Sequence, residues 1–262
     1  MHRSPTANTL RSLALVATLS LAACDGSTAP GATATVRLAA SAVAGASTAT
    51  GSGLAITGTN GTLLITDMKL VVDEFELKRV GVAGCSDDNP GSSDCEEFES
   101  DMFVADVPLG TGAVTVANDQ IPAGSYSALE FEVKDLFVDA GDRSDSLRAT
   151  QIATLLATLR TTYADWPAGA SMMIEGTFTP TGGAAQPFRV YFNAEVEVET
   201  MFSTPVVIDA ASQGVTIELR PDLWFKNNDG TVRNLALSDF ATIHTLVEFE
   251  AEFEGGVEIE HD

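Results

Sequence analysis

Basic residues are scarce in this chain of 262 residues: 14 Lys and Arg stand against 37 Asp and Glu, a net charge of −23. A surface that grips phosphate needs a basic footprint, so the balance argues against nucleic acid and anionic membrane surfaces as partners. Histidine is nearly missing, with three in the whole sequence. No HExxH, paired His or CxxCH run occurs, which leaves transition metals and haem without a ligand set. No G-x-S-x-G accompanies His244, so a Ser-His-Asp hydrolase lacks its nucleophile elbow. His261 lies next to the C-terminus. Long apolar runs are also lacking: beyond the N-terminus nothing approaches the ~18 consecutive apolar residues of a membrane-spanning helix.

What is present begins at the N-terminus. Arg3 and Arg11 precede an apolar run from Leu13 to Ala23, broken only by Thr18 and Ser20. A basic region followed by a short apolar one reads as a signal peptide over residues 1–23. It closes on Leu21-Ala22-Ala23-Cys24, which resembles the bacterial lipobox, where small residues precede a Cys that is acylated and becomes the new N-terminus. Cys24 is therefore expected to carry lipid, such as palmitate, and two or three acyl chains on one residue anchor stably. Localisation follows: the cell envelope, lipid-anchored and extracytoplasmic, on the periplasmic or the surface face. Cleavage removes two Arg and no acid, which takes the net charge two lower, to −25.

With Cys24 consumed, Cys85 and Cys95 remain, in a compartment where disulfides persist. They flank SDDNPGSSD, whose Gly, Pro, Ser and Asp are loop chemistry. A bridge there would staple a surface loop and contribute about 2–3 kcal/mol. A zinc site would need more Cys or His nearby.

Residues 25–52 are Ala, Thr, Ser and Gly with almost no large apolar side chain, a composition that reads as a flexible tether, with TATVRLA as a short edge strand at most. From about residue 53 to 262 the pattern has period two, which predicts one domain. LAITGTNGTLLI is a hairpin turning at Asn60-Gly61. In MKLVVDEFELKRV the alternation breaks over Val71–Glu74, the signature of a bulge. DMFVADVPL and GAVTVAND are short strands, and SALEFEVKDLFV sends Leu129, Phe131 and Val133 inward. ASMMIEGTFTP and QPFRVYFNAEVEVETMF form a second hairpin across Gly182-Gly183, and GVTIELR and DLWF add short strands. One segment has helical spacing: Ile152, Leu155, Leu156, Leu159 and Tyr163 predict an amphipathic helix over 146–163, with Asp145 as its cap. Residues 238–254 read both ways, as a helix at the start and as a strand in VEFEAEFE. The sum is a mainly β chain, an antiparallel β-sandwich with one helix.

GTLLITDMKLVVDEFELKRV, then VPLG, then IPAGSYSALEFEVKDL is similar to a bacterial family of secreted lipoproteins of unknown function. The matching positions are Thr66-Asp67 and Pro122-Ala123-Gly124-Ser125-Tyr126, and the similarity spans roughly 61–137. The resemblance implies a sandwich like those of transthyretin-type and carbohydrate-binding domains. It implies no activity and carries over no functional residue.

The most specific chemistry the residues offer is calcium. Asp87, Asp88, Asn89, Asp94, Glu96, Glu97, Glu99 and Asp101 crowd around the Cys85–Cys95 loop, and Ca²⁺ takes six to eight oxygens from a flexible segment. Against it, no D-x-D-x-D-G spacing occurs, and a solvated acidic loop is the simpler reading. Glu195, Glu197 and Glu199, like Glu248, Glu250, Glu252 and Glu254, alternate with smaller or apolar residues as a solvated strand face does. No catalytic pair can be chosen among so many carboxylates. The expectation is a non-enzymatic, envelope-anchored module that binds or scaffolds a protein or glycan and needs no cofactor. A calcium-dependent adhesive module is the alternative, and a hydrolase comes third.

Overall fold

The structure is a computed structural model. It describes residues 32–33, 35–40, 47–50, 53–80, 98–109, 114–117, 120–121, 124–134, 136, 146–208, 214–250 and 257–261. Cys24, Cys85, Cys95, Asp87, Asp88, Asn89, Asp94 and Glu96 lie outside those residues, so the lipid, disulfide and calcium expectations find neither support nor contradiction there.

The chain is mainly β, as the period-two pattern requires. Its strands are β1 (Ala32–Thr33), β2 (Thr35–Ala40), β3 (Ser47–Thr50), β4 (Gly53–Gly58), β5 (Gly61–Val72), β6 (Glu74–Arg79), β7 (Phe98–Glu99) and β8 (Phe103–Asp106). They continue as β9 (Val114–Ala117), β10 (Gln120–Ile121), β11 (Gly124–Val133), β12 (Met172–Pro180), β13 (Gln186–Ile208), β14 (Gly214–Leu219), β15 (Val247–Glu250) and β16 (Val257–His261). Three short helical pieces join the predicted helix: α1 (Ser146–Thr162), α2 (Pro221–Phe225), a 3-10 turn over Leu235–Ser238, and α3 (Phe240–Ile243).

The large sheet runs β3-β4-β5-β12-β13-β11-β6-β7, with β8 beside β5 and β15 beside β13. A four-stranded sheet runs β16-β14-β2-β9. Pairing is antiparallel throughout the described sheets except for β13 with β15 and β14 with β2, which are parallel. Two runs of chain tie the halves of the large sheet together. β5 pairs with β12 and passes through Asp73 into β6, which pairs with β11. β13, 23 residues long, pairs with β12 through its first half and β11 through its second.

Alternation puts Leu54, Ile56, Leu63, Ile65, Phe75, Leu77, Leu129, Phe131, Ile174, Val190 and Phe192 into one core, all at 2 % exposure or less. Burying each such side chain is worth about 1.5–3 kcal/mol, and together they fix the register. The opposite face of β5, β12 and β13 carries Val71, Met173 and Tyr191, and these are buried too. Helix α1 covers them, since Ile152, Leu156 and Leu159 share their cluster, and Trp166 just beyond the helix joins it. The three- and four-residue spacing thus served a second, smaller core outside the sheet.

Four local readings need correction or refinement. DLWF is not a strand: Pro221 opens α2, where its missing N–H costs nothing, and Trp224 and Phe225 pack into the main core. The 238–254 segment is both elements in succession, α3 and then β15, with His244 at φ 51° ending the helix between them. Thr35–Ala40 is not an edge strand, because β14 and β9 flank it. Ser47–Thr50, inside the run read as tether, pairs with β4.

Candidate functional site

The densest polar cluster among the described residues lies on the outer face of β5, β12 and β13, against the end of α1. A bulge makes it. Glu175 sits opposite Asp67 and Gly176 opposite Ile65, which leaves Thr66 unpaired. The extra residue shifts the alternation, so that Ile65 and Met68 both stay in the core while Asp67 turns to the outer face. Gly176 is required there, since a Cβ at that position would stand 2.0 Å from the Leu64 carbonyl oxygen. Register then aligns two rows across the three strands: Asp67, Glu175 and Arg189, then Lys69, Met173 and Tyr191.

The side chains pair within and between these rows. The Tyr163 hydroxyl donates to Asp67 Oδ2 at 2.5 Å. Lys69 Nζ lies 2.7 Å from Asp67 Oδ1 and 2.6 Å from Asp106 Oδ1. The Arg189 guanidinium donates to Glu175 Oε2 at 3.0 and 3.1 Å and lies 3.4 Å from Asp165, with its cationic carbon 5.5 Å from the Tyr163 ring centre. The Tyr191 hydroxyl donates to Asp165 at 3.0 Å, and the Arg189 backbone N–H donates to Asp239 at 3.0 Å. Aromatic rings run beneath: Tyr163 on Trp166, Trp166 on Tyr191, Tyr191 on Phe240.

Protonation is fixed by these contacts. Burial, then the hydrogen bond to Asp67 and its charge, pushes Tyr163 up to about 12. Tyr191 is raised further, by burial and then by Asp165. Burial alone would lower Lys69, but its bonds to Asp106 and Asp67 outweigh it and leave it raised. Arg189 is raised in the same way, with Glu175 overcoming the burial. A general acid or base works best with a pKa near the ambient pH, and these four groups are all held far from it.

A second polar contact sits at the other end of the helix. Arg148 Nη1 donates to both carboxylate oxygens of Asp73, at 2.6 Å each, and the Asp73 side chain is 6 % exposed. Lys134 pairs with Glu132 nearby, on the next strand. Asp73 is the residue at which β5 gives way to β6, so the Val71–Glu74 irregularity is where the helix is pinned.

The residues singled out from sequence fare unevenly. His244 is exposed and meets the Phe240 ring edge to face. A glycan-binding face would need exposed aromatic rings, but Trp166 and Trp224 are 1 % and 9 % exposed and Tyr126 and Tyr191 are fully buried, so these four offer no platform to a sugar. Glu195 and Glu248 are exposed, as a solvated face requires. Among the described residues no group of three or more His, Cys, Asp and Glu is placed to hold a metal ion. No helix among them is long and apolar enough to cross a membrane. The Asp67 cluster itself was not anticipated, although Thr66-Asp67 stood out as a pair and the scarcity of cations made Lys69 and Arg189 worth locating. Compared with known proteins, the chain matches no family model, no curated protein and no solved structure. The resemblance over residues 61–137 gains no support from them.

Proposed function

We propose that the chain is a lipid-anchored, extracytoplasmic β-sandwich that binds or scaffolds a partner and does no covalent chemistry. One observation supports the non-enzymatic part: Tyr163, Tyr191, Lys69 and Arg189 are each committed to a carboxylate of the same cluster by hydrogen bonds or ion pairs. The cluster acts as a clasp. It fastens the end of α1 and the Asp239–Phe240 corner to the sheet. The anchored part rests on the lipobox at Leu21–Cys24 and on an acidic chain suited to solubility beside a membrane.

Expression in a bacterial host fed an alkynyl fatty acid tests the anchor. Wild type is expected to take the label and fractionate with membranes, and Cys24→Ala to lose both. An unlabelled wild-type chain overturns it. Turnover of an ester, glycoside or peptide substrate by wild type, abolished in Asp67→Asn, overturns the non-enzymatic part.

A further inference from the structure

We propose that one end of the large sheet, where Val80, Met201 and Val207 stand exposed, rests on the bilayer that holds the lipid anchor. The inference rests on the anchored reading above and names the surface that the anchor brings to the membrane. Alternation settles which residues share this face. Leu77, Tyr126, Val206 and Ile208 point into the core, so Lys78, Val80, Ser125, Met201 and Val207 stand on the other side.

Register brings them together at the end of the sheet. Val80 donates its N–H to the Ser125 carbonyl at 2.8 Å, and Ser125 pairs with Val207. The next row is Lys78, Ala128 and Met201. Between the two rows β13 bulges, with Phe202, Ser203, Thr204 and Pro205 opposite Ser127 alone. Of these four only Phe202 is partly covered.

Composition sets this end apart. Residues 78–80, 124–129 and 200–208 contain no Asp or Glu in a chain that has 37, and the charges they carry are Lys78 and Arg79. Acids begin one row past Leu77, Leu129 and Thr200, at the register positions of Glu76, Glu130 and Glu199. Asp209 follows Ile208 in sequence, outside the described residues. Val80, Met201 and Val207 are 41 %, 68 % and 60 % exposed, and they are three of the six exposed large apolar residues among those described. Exposed apolar groups gathered on one face mark protein or membrane contacts.

The chain upstream chooses between those two occupants. Cys24, the residue expected to carry lipid, precedes Ala32 by eight residues, a span of at most about 28 Å. Ala32 pairs with Ile121, whose side chain lies in the main core. Three residues further on, Gly124 pairs with Ile208, next to Val207. The anchored segment therefore enters the fold beside the acid-free end, and a bilayer holding Cys24 is within reach of it. Three apolar side chains are too few to hold a free protein on a membrane, but a short tether makes the contact intramolecular and raises the effective concentration of lipid there. A net charge of −23 opposes anionic lipid, which selects a zwitterionic headgroup layer, and the acid-free end is the part that approaches it without repulsion.

The test uses the full lipidated chain, purified from bacterial membranes and reconstituted into phosphatidylcholine vesicles brominated high on the acyl chains. Met201→Trp places a reporter at the contact, and Leu237→Trp places one on the 3-10 turn, at an apolar site 75 % exposed. After subtraction of the wild-type signal, bromine should quench Met201→Trp at least about threefold more than Leu237→Trp. Adding Val80→Glu with Val207→Glu to the Met201→Trp chain should remove most of that quenching while Cys24 keeps the protein on the vesicles. A melting curve confirms that each variant is folded. Native Met201 supplies a readout without a new aromatic ring: peroxide should oxidise it at least about threefold more slowly on vesicles than in the Cys24→Ala chain free in solution. Equal quenching at the two positions overturns the proposal, as does quenching that survives both glutamates or an equal rate of Met201 oxidation. A chain that takes no alkynyl label fails the anchored reading instead, whereas a labelled chain without quenching at Met201→Trp fails this one alone.

Discussion

At the scale of single residues, the Tyr163–Asp67 contact makes the sharpest forecast. Removing the hydroxyl in Tyr163→Phe should cost about 1.5–3 kcal/mol in urea unfolding, the usual net worth of one hydrogen bond to a charged acceptor. The pH dependence follows from the raised pKa. An unfolded tyrosine loses its proton near 10, the folded one near 12. The stabilisation is complete below about pH 10 and disappears as the pH climbs through 12, so Tyr163→Phe should lose less stability than wild type across that window. Arg148→Ala is more severe, because it strands the Asp73 carboxylate at 6 % exposure. A loss of about 3 kcal/mol is expected. Asp229 shows the opposite sign: the Thr231 hydroxyl and N–H hold its carboxyl below the ordinary value. Carbon-13 titration of its carboxyl should give a midpoint below that of a free aspartate, and what it lends the turn is present at neutral pH and lost as the pH falls through that midpoint.

At the scale of elements, the bulge at Thr66 is the feature everything on the outer face depends on. Gly176→Ala places a methyl against the Leu64 carbonyl and should lower stability by about 3 kcal/mol or more in chemical unfolding. Leu156→Ala empties the pocket between α1 and the sheet and should cost about 2–4 kcal/mol, with the helical circular dichroism signal falling first. The elements also divide into those legible in the sequence and those that were not. Period two gave the longer strands of the large sheet and both hairpins, because alternate residues there enter one core. Three- and four-residue spacing gave α1 to within one residue. DLWF misled because a short apolar run does not distinguish a strand from one turn of helix, and only the neighbouring Pro221 favoured the helix. The partners of Asp67 were illegible for a different reason. Tyr163 lies 96 residues away and Arg189 on another strand, and no local pattern tells which distant strands will become neighbours. Thr66-Asp67 could be seen as a broken alternation, but what the break was for required the register.

At the scale of the whole molecule, the large sheet is held together by two long runs, β5 into β6 and the unbroken β13. Each belongs to both halves, so the halves are expected to unfold together; urea transitions followed by tryptophan fluorescence and by far-ultraviolet circular dichroism should coincide. Separate midpoints would show that the junction at Asp73 acts as a hinge.

The placement of β2 has a bearing on how such a chain is made. Thr35–Ala40 lies between Val114–Ala117 and Gly214–Leu219, and its more extensive partner is the later one. A polypeptide made from its N-terminus delivers β2 among the first of its strands and β14 near the last. Closing a loop of that length is slow. The small sheet therefore stays open until most of the chain has been made, and its closing joins one of the first strands to one of the last in a single ladder.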